Sequence, residues 1–290
     1  MGEGRMAPRA RTAEPRPEHA AASAREVERG VVSTESGLEG SLHEVWLPGL
    51  ARELDGARIA QVSDLHRAGA RFDRVIEEAF RHANRLDPDW TLLTGDFVDR
   101  RRRDIEPVAK MAAGLRARRG ILAVLGNHDY YAGGVGVARA LERQGIEVLV
   151  NRALQAAPGL WFAGVDDWLE GRPDLDAALA DAPPGAALVL MSHHPGTLDR
   201  LPARRPALVL SGHTHGGQYR VPLVPRWLIC RLHLRTRFVE GWYRRGPALL
   251  YVNRGVGAAG GPILGHRLRC PPEVSAFTLR RYGSSEMADQ

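Results

Sequence analysis

Residues 57–66 read Ala57-Arg58-Ile59-Ala60-Gln61-Val62-Ser63-Asp64-Leu65-His66, a short apolar strand that runs into an Asp-x-His pair. Directly after it, Phe72, Val75, Ile76, Ala79, Phe80, Ala83 and Leu86 recur at helical spacing and give one apolar face. Asp87-Pro88-Asp89 closes that helix, and Trp90-Thr91-Leu92-Leu93-Thr94 reads as a second strand. A helical pattern through Val108, Met111, Ala112 and Leu115 leads to a third strand, Ile121-Leu122-Ala123-Val124-Leu125. Strand alternating with helix at this spacing predicts an α/β domain. Further strands are expected at 147–150, 160–165, 186–191, 207–210, 248–252 and 274–279, and there is no internal repeat.

The polar clusters fall in a pattern. Asp64, Asp96, Asn127, His193 and His213 each stand one to three residues beyond an expected strand. In α/β sheets the carboxyl ends of strands collect the ligand-binding loops, so five strands would deliver metal-ligand side chains to one edge. The segments are Asp64-Leu65-His66, Gly95-Asp96-Phe97-Val98-Asp99, Gly126-Asn127-His128-Asp129, Ser192-His193-His194-Pro195 and Gly212-His213-Thr214-His215. Carboxylate and amide oxygens mixed with imidazole nitrogens suit Mn, Fe or Zn better than Ca or Mg. Taken singly, an Asp-x-His pair is more often a solvated loop, and Gly-Asn-His-Asp can be an Asx-turn without chemistry. Five unrelated loops would have to supply this order by coincidence.

In that order, over about residues 55–280, the segments resemble the calcineurin-like metallophosphoesterase superfamily. The resemblance implies a four-layer α/β/β/α sandwich with two divalent cations at the strand ends. Asp64, His66 and His215 would hold the first cation, Asn127, His193 and His213 the second, and Asp96 would bridge them. His194 is the alternative to its neighbour, but the family motif places the ligand directly after the Ser192 position. His128 would stand unligated beside the substrate, with Asp129 orienting its ring and Asp99 supporting the loop. Paired cations lower the pKa of a bridging water so that hydroxide attacks phosphorus, and a protonated His128 stabilises the developing charge or protonates the leaving alkoxide. The expected activity is hydrolysis of a phosphodiester or pyrophosphate.

Longer strings narrow the resemblance. Gly126 to Tyr131, Gly212 to Gln218, Tyr251-Val252-Asn253-Arg254-Gly255 and Arg269-Cys270-Pro271-Pro272-Glu273 look like the bacterial branch that includes membrane-associated phosphoesterases and a UDP-2,3-diacylglucosamine pyrophosphatase. That implies a lipid-linked substrate, and one local feature agrees. Trp227, Leu228, Ile229, Leu232 and Leu234 are interleaved with Arg226, Arg231, Arg235 and Arg237, a composition that can rest on an anionic membrane or line an acyl groove. The plainer alternative is a helix that packs its apolar side on the domain. Arg100 to Arg103 form a second basic cluster, as suited to a solvated face as to substrate attraction.

Bulk properties set the bounds. The 290 residues are 44% hydrophobic and 26% charged, enough for one large core under an ordinary surface. A net charge of +6 suits anionic partners such as phosphate or acidic headgroups. No nucleic-acid reading motif accompanies it, so no specific nucleic acid is expected. No apolar run reaches the roughly 18 residues of a membrane span, and no signal-type apolar region is visible, which points to a cytoplasmic chain, peripheral at the inner membrane if the lipid reading holds. Cys230 and Cys270 read as structural thiols. Residues 1–38 are poor in large apolar residues and are expected to be disordered, 39–282 to form the catalytic domain and 283–290 a tail. His82 reads as a surface histidine, and His266 stays unassigned. A soluble nucleotide phosphodiesterase or a phosphomonoesterase is the competing activity. A non-catalytic scaffold would usually have lost ligands, whereas all seven and His128 are present.

Overall fold

Among the described residues, thirteen strands and six α-helices alternate along the chain. They are β1 (Arg25–Ser33), β2 (Glu39–Trp46), β3 (Arg58–Val62), α1 (Asp73–Arg85), β4 (Trp90–Leu93), α2 (Ile105–Ala112), β5 (Gly120–Ala123), α3 (Asn127–Ala132), α4 (Gly134–Glu142) and β6 (Glu147–Val148). The second half contains β7 (Arg152–Ala157), β8 (Leu160–Gly164), α5 (Leu175–Leu179), β9 (Ala187–Met191), β10 (Leu208–Ser211), α6 (Arg226–His233), β11 (Gly241–Arg245), β12 (Ala248–Val252) and β13 (Glu273–Arg280). The computed structural model describes residues 25–34, 37–202, 205, 207–220, 225–260 and 266–282. Residues 1–24 and the tail 283–290 therefore lie outside the described residues.

The strands form two sheets, β1-β2-β13-β3-β4-β5-β6 and β11-β12-β10-β9-β8-β7. β3 to β6 run parallel, as do β12, β10, β9 and β8, so the ligand-bearing loops of each sheet leave from one edge. The near-continuous apolar runs follow from burial on both faces. In β9, Leu188 and Leu190 join an outer core with Leu179 of α5 and Leu198, while Val189 and Met191 join the core between the sheets. In the first sheet, Ala60 and Val62 of β3 pack on Ile76, Ala79 and Phe80 of α1, and Ile59 faces the second sheet. Helices, sheet, sheet and helices make the four-layer α/β/β/α sandwich.

Four strands were not anticipated. β1 lies inside the stretch expected to be disordered and pairs antiparallel with β2. Its charged sequence is that of an edge strand, joined to its neighbour through the backbone ladder. β2 turns Ser41, His43 and Val45 inward, a largely polar buried face that conceals the alternation. β7 and β11 close the two edges of the second sheet. His82 is also corrected: it is only 9% exposed, and its ring fills the space beside Gly40, where a Cβ would sit 2.3 Å from His82 Nε2. Both cysteines are buried and free.

Candidate metal centre

Five of the seven proposed ligands adopt left-handed backbone conformations: Asp64 (φ 53°), His66 (44°), Asp96 (58°), His213 (74°) and His215 (51°). Such residues cost about 1–3 kcal/mol each when strained and cluster where function over-determines them. The sharp turn lets a strand end and its side chain stay at the rim. The loops are laced by their backbones, with Asp64 N–H donating to Gly95 O at 2.9 Å and His66 N–H to Asp96 O at 3.0 Å. Two glycines are required by close approach. A Cβ on Gly126 would lie 2.2 Å from Asp96 Oδ1, and one on Gly212 would lie 2.0 Å from Ser63 Oγ and 2.1 Å from Asp64 Oδ2.

These turns bring the candidate side chains together. His66 Nε2 lies 3.2 Å from Asp96 Oδ2, and His193 Nε2 lies 3.2 Å from the same oxygen. His215 Nε2 approaches His66 Nε2 at 3.0 Å and Asp64 Oδ1 at 3.5 Å. His213 Nδ1 stands 3.2 Å from His193 Nε2. Three groups have ligand atoms all within 4.8 Å of one another: Asp64, His66 and His215; Asp96, His193 and His213; and His66, Asp96 and His128. Asn127 begins α3 beside them, 5% exposed, with an Oδ1 that has no hydrogen-bond partner.

Electrostatics and stereochemistry test whether a cation fits. Burial works against charge on Asp96, but His193, His128 and His66 overcome it and hold the carboxyl well below the usual range. Burial likewise opposes protonation of His193, and Asp96 outweighs it, pushing the imidazole up to about 10. Burial pushes His215 down to about 3 against the pull of Asp64. Bare imidazole nitrogens 3.0 Å apart repel unless a proton or a cation lies between them. Buried Asn127 Oδ1 is unsatisfied by protein atoms, a costly state that a metal ion would relieve. The donor set fits divalent metal.

The family description of a calcineurin-like phosphoesterase matches residues 57–217, more than half of the chain. The chain belongs to the calcineurin-like phosphoesterase family. It is a phosphoesterase hydrolase. The metallophosphoesterase YkuE of Bacillus subtilis is 29% identical over 84% of this chain and 86% of its own length. A metallophosphoesterase of Aquifex aeolicus is 32% identical over 78% of this chain and 86% of its own. A zebrafish transmembrane protein with a metallophosphoesterase domain is 29% identical over 82% of this chain, which spans 56% of that relative.

Within this phosphoesterase, one expected role is corrected. The Asp129 carboxylate does not reach the His128 ring; it accepts the backbone N–H groups of Asp96, Phe97 and Gly126 at 2.9–3.0 Å and of Val98 at 3.3 Å. Consecutive helix residues do not face each other, and Asn127–Ala132 is helical. Asp99 takes the place beside His128: the ring Nδ1 lies 2.6 Å from Asp99 O and 3.2 Å from Asp99 Oδ1. A carbonyl only accepts, so Nδ1 carries the proton and Nε2 is the free nitrogen. His193, not His194, approaches Asp96, while His194 spends both ring nitrogens on Gly196 N and Leu234 O.

Other residues at the rim escaped the reading of motifs. Arg267 places a guanidinium nitrogen 3.1 Å from His215 Nδ1 and also donates to Arg254 O, Gly255 O and Gly257 O. Nothing in a loop arginine signals that position. Asp166 and Asp167 follow the expected strand 160–165, and the rule that found the other loops would have found them. His266 is exposed and stacks edge-on to Tyr219 at 5.3 Å, apart from the candidate groups. Among the described residues no helix is long and apolar enough to cross a membrane.

Proposed function

We propose that this phosphoesterase cleaves a phosphodiester or pyrophosphate bond with two divalent cations, one on Asp64, His66 and His215 and the other on Asn127, His193 and His213, joined by Asp96. One observation carries the reading: a single oxygen, Asp96 Oδ2, lies 3.2 Å from His66 Nε2 and 3.2 Å from His193 Nε2, so one carboxylate belongs to both groups. Mn, Fe or Zn suits the mixed donors. Bound there, the cations supply an activated water and attract phosphate oxygens.

The chain's own residues do the rest. Asp129 holds the Asp96 loop through its backbone N–H groups, and Thr94 O fixes the His193 ring by accepting from Nδ1 at 2.8 Å. Asp99 fixes the His128 tautomer so that Nε2 can move a proton to or from the substrate.

We further propose a lipid-linked substrate such as UDP-2,3-diacylglucosamine and peripheral contact with an anionic membrane. The support is α6, which follows the His215–Gly217 turn. It exposes Trp227 (53%), Leu228 (37%) and Leu232 (67%) beside the exposed Arg231. Arg200, Arg231, Arg235 and Arg237 line an adjacent groove with Asp199, whose partner is Arg237. The side chain of Ile229 lies outside the described residues.

The test is removal of metal with a chelator and return of Mn, Fe or Zn one at a time. Turnover is followed on a chromogenic phosphodiester, a phosphomonoester, nucleotides and a sugar-nucleotide lipid in detergent. Activity lost and regained supports the dinuclear reading, and activity unchanged in excess chelator ends it. Rapid turnover of free nucleotides with none on the lipid would end the lipid reading alone.

A further inference from the structure

Asp167 lies at the same rim as the candidate ligands and has no part in the reaction described above. Val165 N–H donates to Met191 O at 3.1 Å, so the chain beyond β8 runs beside the chain beyond β9, which carries His193. The two neighbours of Asp167 are tied to the site's own loops. Asp166 accepts a hydrogen bond from Tyr130 of α3, the helix that begins with Asn127 and His128. Trp168 Nε1 donates to Thr197 Oγ1 at 2.6 Å, and Thr197 Oγ1 contacts Ser192 Oγ at 2.6 Å and His194 O at 3.1 Å.

Asp167 itself is fully buried (0% exposed). Its Oδ1 accepts from Leu169 N and Glu170 N, each at 2.9 Å, which accounts for the local turn. Its Oδ2 is buried and has no hydrogen-bond partner. A turn alone needs one oxygen, and a hydroxyl would supply it without burying a second polar atom. Burial raises the Asp167 carboxyl above its ordinary range; His193 opposes the shift and Asp96 adds to it, so the charged groups acting on Asp167 are those of the candidate cation site. An unshared buried carboxylate oxygen is unfavourable unless positive charge lies nearby.

We propose that Asp167 is a positioning residue of the metal centre, its free oxygen adding negative charge beside the Asp96–His193–His213 group and raising that group's affinity for a cation. This rests on reading the group as a cation site. Outer carboxylates of this kind commonly set affinity without touching the metal, and their loss costs roughly 10–100-fold.

The experiment is a calorimetric Mn titration, without substrate, of wild type and Asp167→Asn, with thermal melting of both in excess chelator. The amide keeps an acceptor for Leu169 and Glu170, so melting in chelator should be no lower than that of wild type. One of the two Mn sites should weaken by about 10–100-fold while the other is unchanged. Superimposable titrations overturn the proposal, as does melting that drops in chelator while Mn binding is intact, the mark of a purely structural turn. If Asp167→Asn does not fold, Asp167→Glu keeps the charge and moves it, and an unaltered Mn titration there overturns the proposal equally. Wild type that binds two Mn ions but cleaves no phosphoester defeats the functional reading and leaves Asp167 standing; wild type that binds no Mn defeats both.

Discussion

The two sheets bring unlike chemistry to one rim. The first delivers Asp64, His66, Asp96, Asn127 and His128, which include both carboxylates of the three groups. The second delivers His193, His213 and His215, imidazoles only. The anionic half is braced by backbone N–H donors, such as His213 N on Asp64 Oδ1 at 3.0 Å and His128 N on Asp96 Oδ1 at 2.9 Å. The imidazole half is braced at the outer ring nitrogens, by Thr94 O on His193 Nδ1 and by the Arg267 guanidinium on His215 Nδ1. Each half satisfies the other across the gap between the sheets. On the reading proposed above, the first sheet would supply the charge that attracts cations and the second most of the imidazoles that hold them.

The sharpest way to break that division is to remove oxygen donors from the first sheet. Asp96→Asn and Asn127→Ala should each abolish hydrolysis of a chromogenic phosphodiester, beyond the roughly 10–100-fold typical of outer residues, with circular dichroism unchanged. Equal activity in Asp96→Asn would remove Asp96 as the shared ligand. His128→Ala tests whether the third group of close atoms matters for binding. Turnover should fall by about 10²–10⁴-fold, the usual worth of a proton-transfer group, with metal content by elemental analysis as in wild type. Metal loss would make His128 a ligand instead.

A fourth variant probes the scaffold behind the rim. Buried Glu273 accepts from Ser41 Oγ at 2.6 Å and from Arg254 N and Nε at 3.0 Å each. Burial opposes its charge, but Arg254, Ser41 and Tyr251 hold its carboxyl below the ordinary 4.5. A carboxyl lowered on folding stabilises fully above its unfolded value, and that stability is lost as pH falls through the folded value. Glu273→Gln should therefore cost about 3 kcal/mol near neutral pH, the low end for a broken buried pair, because Arg254 keeps Glu39 at 2.8 Å. Its urea midpoint should also change less than that of wild type on going below pH 4.5. The smallest effect is expected at α6. Trp227→Ser with Leu228→Ser should lower activity on a lipid substrate in vesicles by about tenfold, equivalent to about 1.4 kcal/mol, and leave a soluble diester unaffected.

Legibility in the sequence followed the physics of burial. The strands expected at 57–63, 90–94 and 248–252 stand at β3, β4 and β12 because each is mostly apolar and buried along nearly its whole length. β2 stayed hidden because its inward side chains include Ser41 and His43, which Tyr251, Glu273 and Trp242 satisfy from distant parts of the chain. Asp129 was assigned to its sequence neighbour, yet its partners are 31–33 residues upstream, apart from Gly126. His82 looked like a surface residue on a helix and proved to be buried against Gly40.

By itself the chain's sequence determined the order of strands and helices through its apolar periodicity, and the residue types at the strand ends that suit divalent metal. Those are local properties, written within a few positions of each other. Only the tertiary structure decided that one oxygen of Asp96 meets His66 and His193, that Asp99 rather than Asp129 holds the His128 ring, and that Arg267 stands behind His215. Such contacts join residues up to 149 positions apart, as Asp64 and His213 are. They depend on the register of two packed sheets, which no stretch of sequence encodes alone.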